Sequence, residues 1–424
     1  MNIVALDWNA SRVRAVRGEA GGEAHPVPLE PPGVALPLAL DLEREPCEIG
    51  AAVLRRSRVA AGRVCQGFLP YLTEKPGHGP RWQAGRRTLD SQAVCERIWQ
   101  RLQPAVGDAG AIVLGLPDYL RPVQANALRK LGEKSRLPIV GTAPVALLAA
   151  LSARGTFDPA GAATSFWDRS VLVLDVDEHA LTLGWVKAIA DKAQLVESRS
   201  FPHLGLRFWR ERLLDSLADL FIRSHRRDPR DTPQAEQMLF DQLEILADAC
   251  QANEAIHVGV QGREWYKHVL VTPDLAAQSC HALTAQAAGE TERLFESWSG
   301  GEWPPRLIVT HAAARLPGVI RAIRGLTPVN ASAETRLPQI KATEYDDFDF
   351  GENLLIDAAE PTIAVLTLPA DAPARTAHAL AGAFIAGTLP RGHLEMTAPL
   401  APTIAPEPHR LDKPLSPLRI AGLR

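Results

Sequence analysis

Apolar and polar residues alternate over residues 2–17, and this period of two predicts a strand, a turn at residues 8–11 and a second strand. The same pattern returns in Val171-Leu-Val-Leu-Asp-Val-Asp177 and continues through 181–186. A hairpin that recurs this way predicts two similar lobes related by internal duplication. A third apolar run, Leu307-Ile-Val-Thr-His-Ala-Ala-Ala-Arg-Leu-Pro317, reads as another buried strand leading into a turn. Between the first two hairpins the spacing predicts helices over 50–60, 91–102, 122–133 and 144–153, with strands over 111–116 and 138–140. Strands and helices in alternation specify an α/β fold class. Further on, Phe208, Leu213, Leu217, Leu220 and Phe221 mark an amphipathic helix over 207–226, which Asp228-Pro-Arg-Asp-Thr-Pro233 terminates. Helices over 234–253 and 273–297 and strands over 256–260 and 268–272 follow, and an alanine-rich helix is expected from 375 to 387. Residues 20–46 and 66–89 read as loop, and residues 391–424 as an extended or disordered Pro-rich tail.

A chain of 424 residues with 46% hydrophobic content can bury a large core in two or three units. Its 46 basic and 49 acidic residues nearly cancel, so overall charge draws it to neither nucleic acid nor anionic membrane. The basic stretch 223–230 is interrupted by Asp228 and reads as a solvated corner between helices. No basic segment followed by a long apolar core opens the sequence, and no apolar run reaches membrane-spanning length. Cys47, Cys65, Cys95, Cys250 and Cys280 are scattered, with no Cys-x-x-Cys pair, and are expected to be reduced thiols in a cytoplasm. Gly-x-Ser-x-Gly, P-loop and Gly-x-Gly-x-x-Gly motifs are missing from the sequence. His179 and His311 lack the spacing of a metal-ligand cluster and read as surface or packed histidines. Asp7 and Asp175 end the first strands of the two hairpins, where an aspartate can cap a turn or face a cleft.

Six stretches, in order, carry a resemblance. They are Ile112-Val-Leu-Gly-Leu-Pro-Asp-Tyr-Leu120, Ala143-Pro-Val-Ala-Leu-Leu-Ala149, His203-Leu-Gly205, Arg212-Leu213, His225-Arg-Arg-Asp-Pro-Arg-Asp231 and Arg315-Leu316-Pro317. With the three strand-turn motifs they resemble the ATPase domain of the seventy-kilodalton heat-shock chaperones, the DnaK type, over nearly the whole chain. The resemblance implies a two-lobed actin-like (ribonuclease H-like) ATPase-domain fold, with lobe I over 1–167 and lobe II over 168–390. It implies a chaperone-related, ATP-binding protein working with protein partners. Asp7, Asn9, Ser11, Asp175, Asp177, His311 and Ala312 stand at the family's nucleotide-binding positions. Asp7 and Asp175 would hold Mg²⁺ through water, close together across the base of the cleft.

The same resemblance implies what is missing. Glycine serves phosphate turns because its missing Cβ permits positive φ and close approach. Here Asn9 replaces one such glycine, Asp177, Glu178 and His179 replace a run of them, and His311 and Ala312 replace a Gly-Gly pair. Asn9 is expected to survive through its tolerance of left-handed backbone. Asp177 and Glu178 are expected to repel a triphosphate. Ala143 and Ala180 stand where the family has a water-positioning glutamate and a loop threonine. Trp8 is expected to crowd the first turn. For the family's phosphate-contacting lysine only Lys75, Arg55 and Arg56 offer themselves. After the alanine-rich helix only the Pro-rich tail remains, too short for a peptide-holding β-sandwich. The expectation is a heat-shock-70-like protein with ATP/ADP and Mg²⁺ as candidate ligands and little or no hydrolysis. The alternative is a catalytically silent pseudo-ATPase, without bound nucleotide, acting as a protein-binding or scaffold module. The actin-like pilus-assembly and cell-division class shares the first turn but not the His-Leu-Gly and Asp-Pro-Arg-Asp features.

Overall fold

The computed structural model describes residues 1–43, 46–72, 79–84, 87–157, 170–189, 192–298, 306–326 and 364–385. The lobe boundary at 167/168, Lys75 and the Pro-rich tail fall outside these residues.

The fold uses one strand order twice. In the first sheet, β1 (Asn2–Trp8) pairs antiparallel with β2 (Arg12–Glu19), and β2 with β3 (His25–Val27). On its other side β1 runs parallel to β4 (Ala111–Leu116), and β4 runs parallel to β5 (Ile139–Pro144). In the second sheet, β6 (Val171–Val176) pairs antiparallel with β7 (Leu181–Ile189), and β7 with β8 (Lys192–Phe201). On its other side β6 runs parallel to β9 (Arg306–Val309), and β9 parallel to β10 (Ala364–Thr367). Each five-strand path therefore reads third, second, first, fourth, fifth. The central strands β1, β4, β6 and β9 are almost wholly buried and accordingly apolar, as expected for parallel strands covered on both faces.

Two alanine-rich helices fill the space between the sheets. In α1 (Val145–Phe157), Leu148 packs with Ile3, Ala5 and Val113 of the first sheet. Ala146, Ala149, Ala150 and Ala153 pack with Val171, Val173 and Ile308 of the second. Small side chains on that face let the second sheet come close. The final helix α5 (Ala372–Ile385) follows the second sheet in sequence, but Ala374, Ala377 and Ala381 pack on the first sheet.

The second unit carries α2 (Leu206–His225), α3 (Pro233–Asp241) and α4 (Leu243–Ala252) above its sheet. The single helix expected over 234–253 is divided at Gln242, whose side-chain amide bonds both Gly259 N–H and Gly259 C=O. The helix expected over 50–60 shortens to Ala51–Leu54. Among the described residues, no helix is long and apolar enough to cross a membrane.

The outer rims of the units also touch. Arg58 pairs with Glu211 and Glu236, stacks 4.5 Å over the Phe240 ring, and its N–H donates to Gln237. Gln237 in turn donates to the Leu54 carbonyl.

Candidate functional site

The cleft lies at the ends of β1, β6 and β9, where the two hairpin turns meet. Asn9 organises the first turn by accepting from the N–H groups of Ser11 and Arg12 at 2.9 and 3.0 Å. Its backbone is not left-handed, so the turn survives through this side-chain acceptor rather than through positive φ. Trp8 does not crowd the turn. Alternation along the strand sends it to the opposite face from Asp7, where it is buried against Trp99 at 4.7 Å between ring centroids.

Asp177 organises the second turn and ties it to the first. One carboxylate oxygen accepts from the His179 and Ala180 N–H groups at 2.9 and 3.1 Å. The other accepts from the Ala10 N–H at 2.8 Å and the Tyr119 hydroxyl at 2.5 Å. Ser11 Oγ accepts from the Glu178 N–H at 2.8 Å, and Asp177 C=O accepts from the Leu206 N–H at 2.8 Å. Asp177 is 2% exposed. Burial raises its pKa against the opposing pull of these hydrogen bonds, and the Tyr119 phenol is also pushed up, by burial first and then by Asp177. Gly205 packs against this turn so closely that a Cβ would meet His179 O at 2.4 Å. That close approach requires the glycine of His203-Leu-Gly205. Glu178 pairs with Arg210.

Two cavities open beside the turns. The first is open to solvent and is lined by Asp7, Asn9, Arg12, Arg14, Asp175 and His311, among others. Asp7 and Asp175 thus share one cavity wall, as expected. Thr310 donates its hydroxyl to Asp175 at 2.6 Å. Burial raises both carboxyls, Asp7 to about 6 against the opposing pull of Arg14 and Arg12. Asp118, which accepts from the N–H of Ala146 at 3.2 Å, is raised by burial to about 7. Burial lowers His311 and brings His179 down to about 4, so both imidazoles are neutral near pH 7.

The second cavity is open to solvent, and Trp209, Leu213, Leu243 and Leu316 contribute its apolar wall. Its charged rim is a chain of ion pairs. Arg210 contacts Glu178 and Glu244, and Arg315 contacts Glu244 at 2.9 Å and Asp248 at 2.7 Å. Burial alone would raise Glu244, but Arg210 and Arg315 outweigh it and hold the carboxyl at about 2. Arg12 and Ala312 line both cavities.

Of the residues picked from sequence, Asp7, Asn9, Asp175, His311 and Ala312 line the first cavity, whereas Ser11 and Asp177 bind the two turns to each other. Ala143 and Ala180 are buried, Ala143 among the alanines of α5. Arg56 contacts Glu48 and Asp41, and neither Arg55 nor Arg56 lines either of these two cavities. Tyr119, Arg12, Arg14 and Thr310 are the important residues that sequence reasoning passed over. For Arg12 and Arg14 a signal was present, because their spacing of two puts both on the face of β2 that Asp7 shares across the ladder.

The residues do not suit a hydrated Mg²⁺. Arg12 and Arg14 stand beside Asp7, Thr310 already engages Asp175, and a divalent cation would enter against two guanidinium charges. Among the described residues no group of three or more His, Cys, Asp or Glu could hold a metal ion. Neither a scan against models of known protein families nor a search of curated proteins finds a match for this chain.

Proposed function

We propose that this chain is an actin-like, two-lobed protein related to the heat-shock-70 ATPase domain, whose cleft has lost ATP turnover and which acts as a protein-binding or scaffold module. The doubled strand order supports the architecture, since a duplicated hairpin sheet with parallel flanking strands is what that fold requires. One observation carries the loss of chemistry. The Asp177 carboxylate takes N–H donors from both turns, Ala10, His179 and Ala180, together with the Tyr119 hydroxyl. Backbone N–H groups in tight turns are what such a fold offers to a phosphate. Here an internal anion satisfies them, and its own charge opposes entry of a second anion.

Two further features agree with silence. Buried Ala143 and Ala180 offer neither a proton acceptor nor a hydroxyl, so general-base activation of water has no residue to perform it at these positions. The Arg58 contacts hold the rims of the two units together, a rigidity suited to a binding surface. A steady-state phosphate-release assay with Mg-ATP tests the proposal. The expected rate equals the buffer rate and is the same for Asp175→Asn. Chaperone-like turnover that Asp175→Asn abolishes would overturn it.

A second reading, nucleotide retention without turnover, is favoured by the apolar wall of the second cavity, where Trp209 and Leu316 offer a surface for a nucleobase. Tight binding of Mg-ATP without hydrolysis would select it.

A further inference from the structure

The turns of the cleft satisfy their own donors, but its arginines do not. Arg12 lies where the two cavities meet and contributes to both walls. Among the described residues its guanidinium has no hydrogen-bond or ion-pair partner, and its Nε is fully enclosed. Arg14, two residues along the same strand face, donates one Nη to the Ala370 carbonyl at 2.8 Å and leaves its enclosed Nε without an acceptor. His311 Nδ1 is a third enclosed nitrogen on the same cavity with no partner. A guanidinium presents five donors in a fixed fork, and leaving buried ones unmade is costly.

The acids nearby do not answer this demand. Asp7, directly across the ladder from Arg14, offsets the charge of both arginines, and Asp175 shares their cavity, but among the described residues neither carboxylate is a hydrogen-bond partner of Arg12. Glu244 is already engaged by Arg210 and Arg315. Burial and the neighbouring Arg14 pull Arg12 down to about 10, which leaves it a cation at neutral pH. Two neighbouring guanidiniums on one strand face that line a cavity, one of them without a partner among the described residues, are the arrangement that binds a planar or tetrahedral oxyanion.

We infer that Arg12 and Arg14 form an oxyanion site that works without a divalent cation, for a small molecule with one anionic head and an apolar body. The head is a carboxylate or a phosphate monoester, chemistries that share the guanidinium fork. The body occupies the second cavity against Trp209, Leu213 and Leu243, which Arg12 connects to the first. The inference rests on the proposed closure of the turns to Mg-triphosphate, because the charge that a metal would supply comes here from the protein.

The test is calorimetric titration of the full-length chain with phenyl phosphate, benzoate and inorganic phosphate, each in EDTA and again in Mg²⁺. At least one aryl anion is expected to bind equally in both buffers, and the stronger of the two identifies the head group. Arg12→Gln should weaken that binding by about tenfold or more, and Arg12→Lys by less, since a point charge replaces a fork. Ala247→Trp, which fills the apolar cavity, should abolish aryl-anion binding and spare inorganic phosphate. No aryl-anion binding by the unmodified protein in EDTA, a requirement for Mg²⁺, or Arg12→Gln and Ala247→Trp both binding like the parent would overturn the inference. Mg-ATP turnover would instead remove the silent-ATPase reading, so the two failures are separable.

Discussion

The two hairpin turns occupy equivalent places in the duplicated frame but solve the same problem differently. Each lacks glycine and must satisfy backbone N–H groups with a side chain. Asn9 does so inside its own turn with a neutral amide oxygen. Asp177 does so with a carboxylate that also reaches Ala10 and Tyr119 in the first unit. The first solution is local. The second makes one buried charge the joint between both halves of the molecule. A turn without glycine can thus keep its shape by satisfying its donors from within, and a carboxylate that reaches both turns ties the two units together.

The largest expected effect follows from that difference. Asp177→Ala leaves the buried N–H groups of Ala10 and Ala180, and the partly buried His179 N–H and Tyr119 hydroxyl, without their acceptor. Each orphaned donor costs about 1–3 kcal/mol, so the loss of stability should be about 3 kcal/mol or more. Chemical denaturation should show it, and hydrogen exchange should quicken at Ala10 and Ala180 together. Faster exchange in the second turn alone would mean that the joint between the units does not depend on Asp177.

Next in size is the titration of Asp7, which belongs to the first turn's strand. Its carboxyl is raised from 3.8 to about 6 in the folded chain, chiefly by burial. Above pH 6 it is ionised in both states, and the fold is disfavoured by up to about 3 kcal/mol. As the pH falls from 6 towards 3.8 the folded state takes up the proton first and the penalty disappears. Asp7→Asn should therefore stabilise the protein at pH 8, with the advantage shrinking to nothing near pH 4. Urea midpoints of parent and variant across that range check the sign, and an advantage that grew towards acid would refute it.

The smallest effect belongs to the local turn. Asn9→Ala removes two bonds confined to one hairpin and should cost about 1 kcal/mol. Exchange at His179 and Ala180 should stay unchanged. If Asn9→Ala proved as damaging as Asp177→Ala, the contrast between a local and a bridging acceptor would fail.

The frame of the molecule was largely legible in the sequence. Ala111–Leu116 carries its burial pattern openly, and the recurrence at 2–17 and 171–186 announced two similar sheets. Strand β8 escaped notice because Lys192, Gln194, Glu197 and Arg199 give this edge strand no apolar period, and β10 is only four residues long. Asp7 and Asp175 were legible because duplication fixes where strand ends fall. The direction of Asp177 was not. Replacement of glycines pointed to repulsion of phosphate, whereas the carboxylate folds back onto donors from both units, a contact between residues 167 apart in sequence. Arg12 and Arg14 show in the alternation of β2, but a pattern of two polar positions does not reveal that they face a cavity.

The central claim, that the turns are filled from within, is tested most directly by equilibrium titration of Mg-ATP into the unmodified full-length chain and into Asp177→Gly, with and without EDTA. The account predicts no Mg²⁺-dependent binding by the unmodified protein, and any Mg²⁺-dependent affinity that emerges should do so only after the carboxylate is removed. Tight, Mg²⁺-dependent binding by the unmodified chain, left unchanged or weakened by Asp177→Gly, would contradict it.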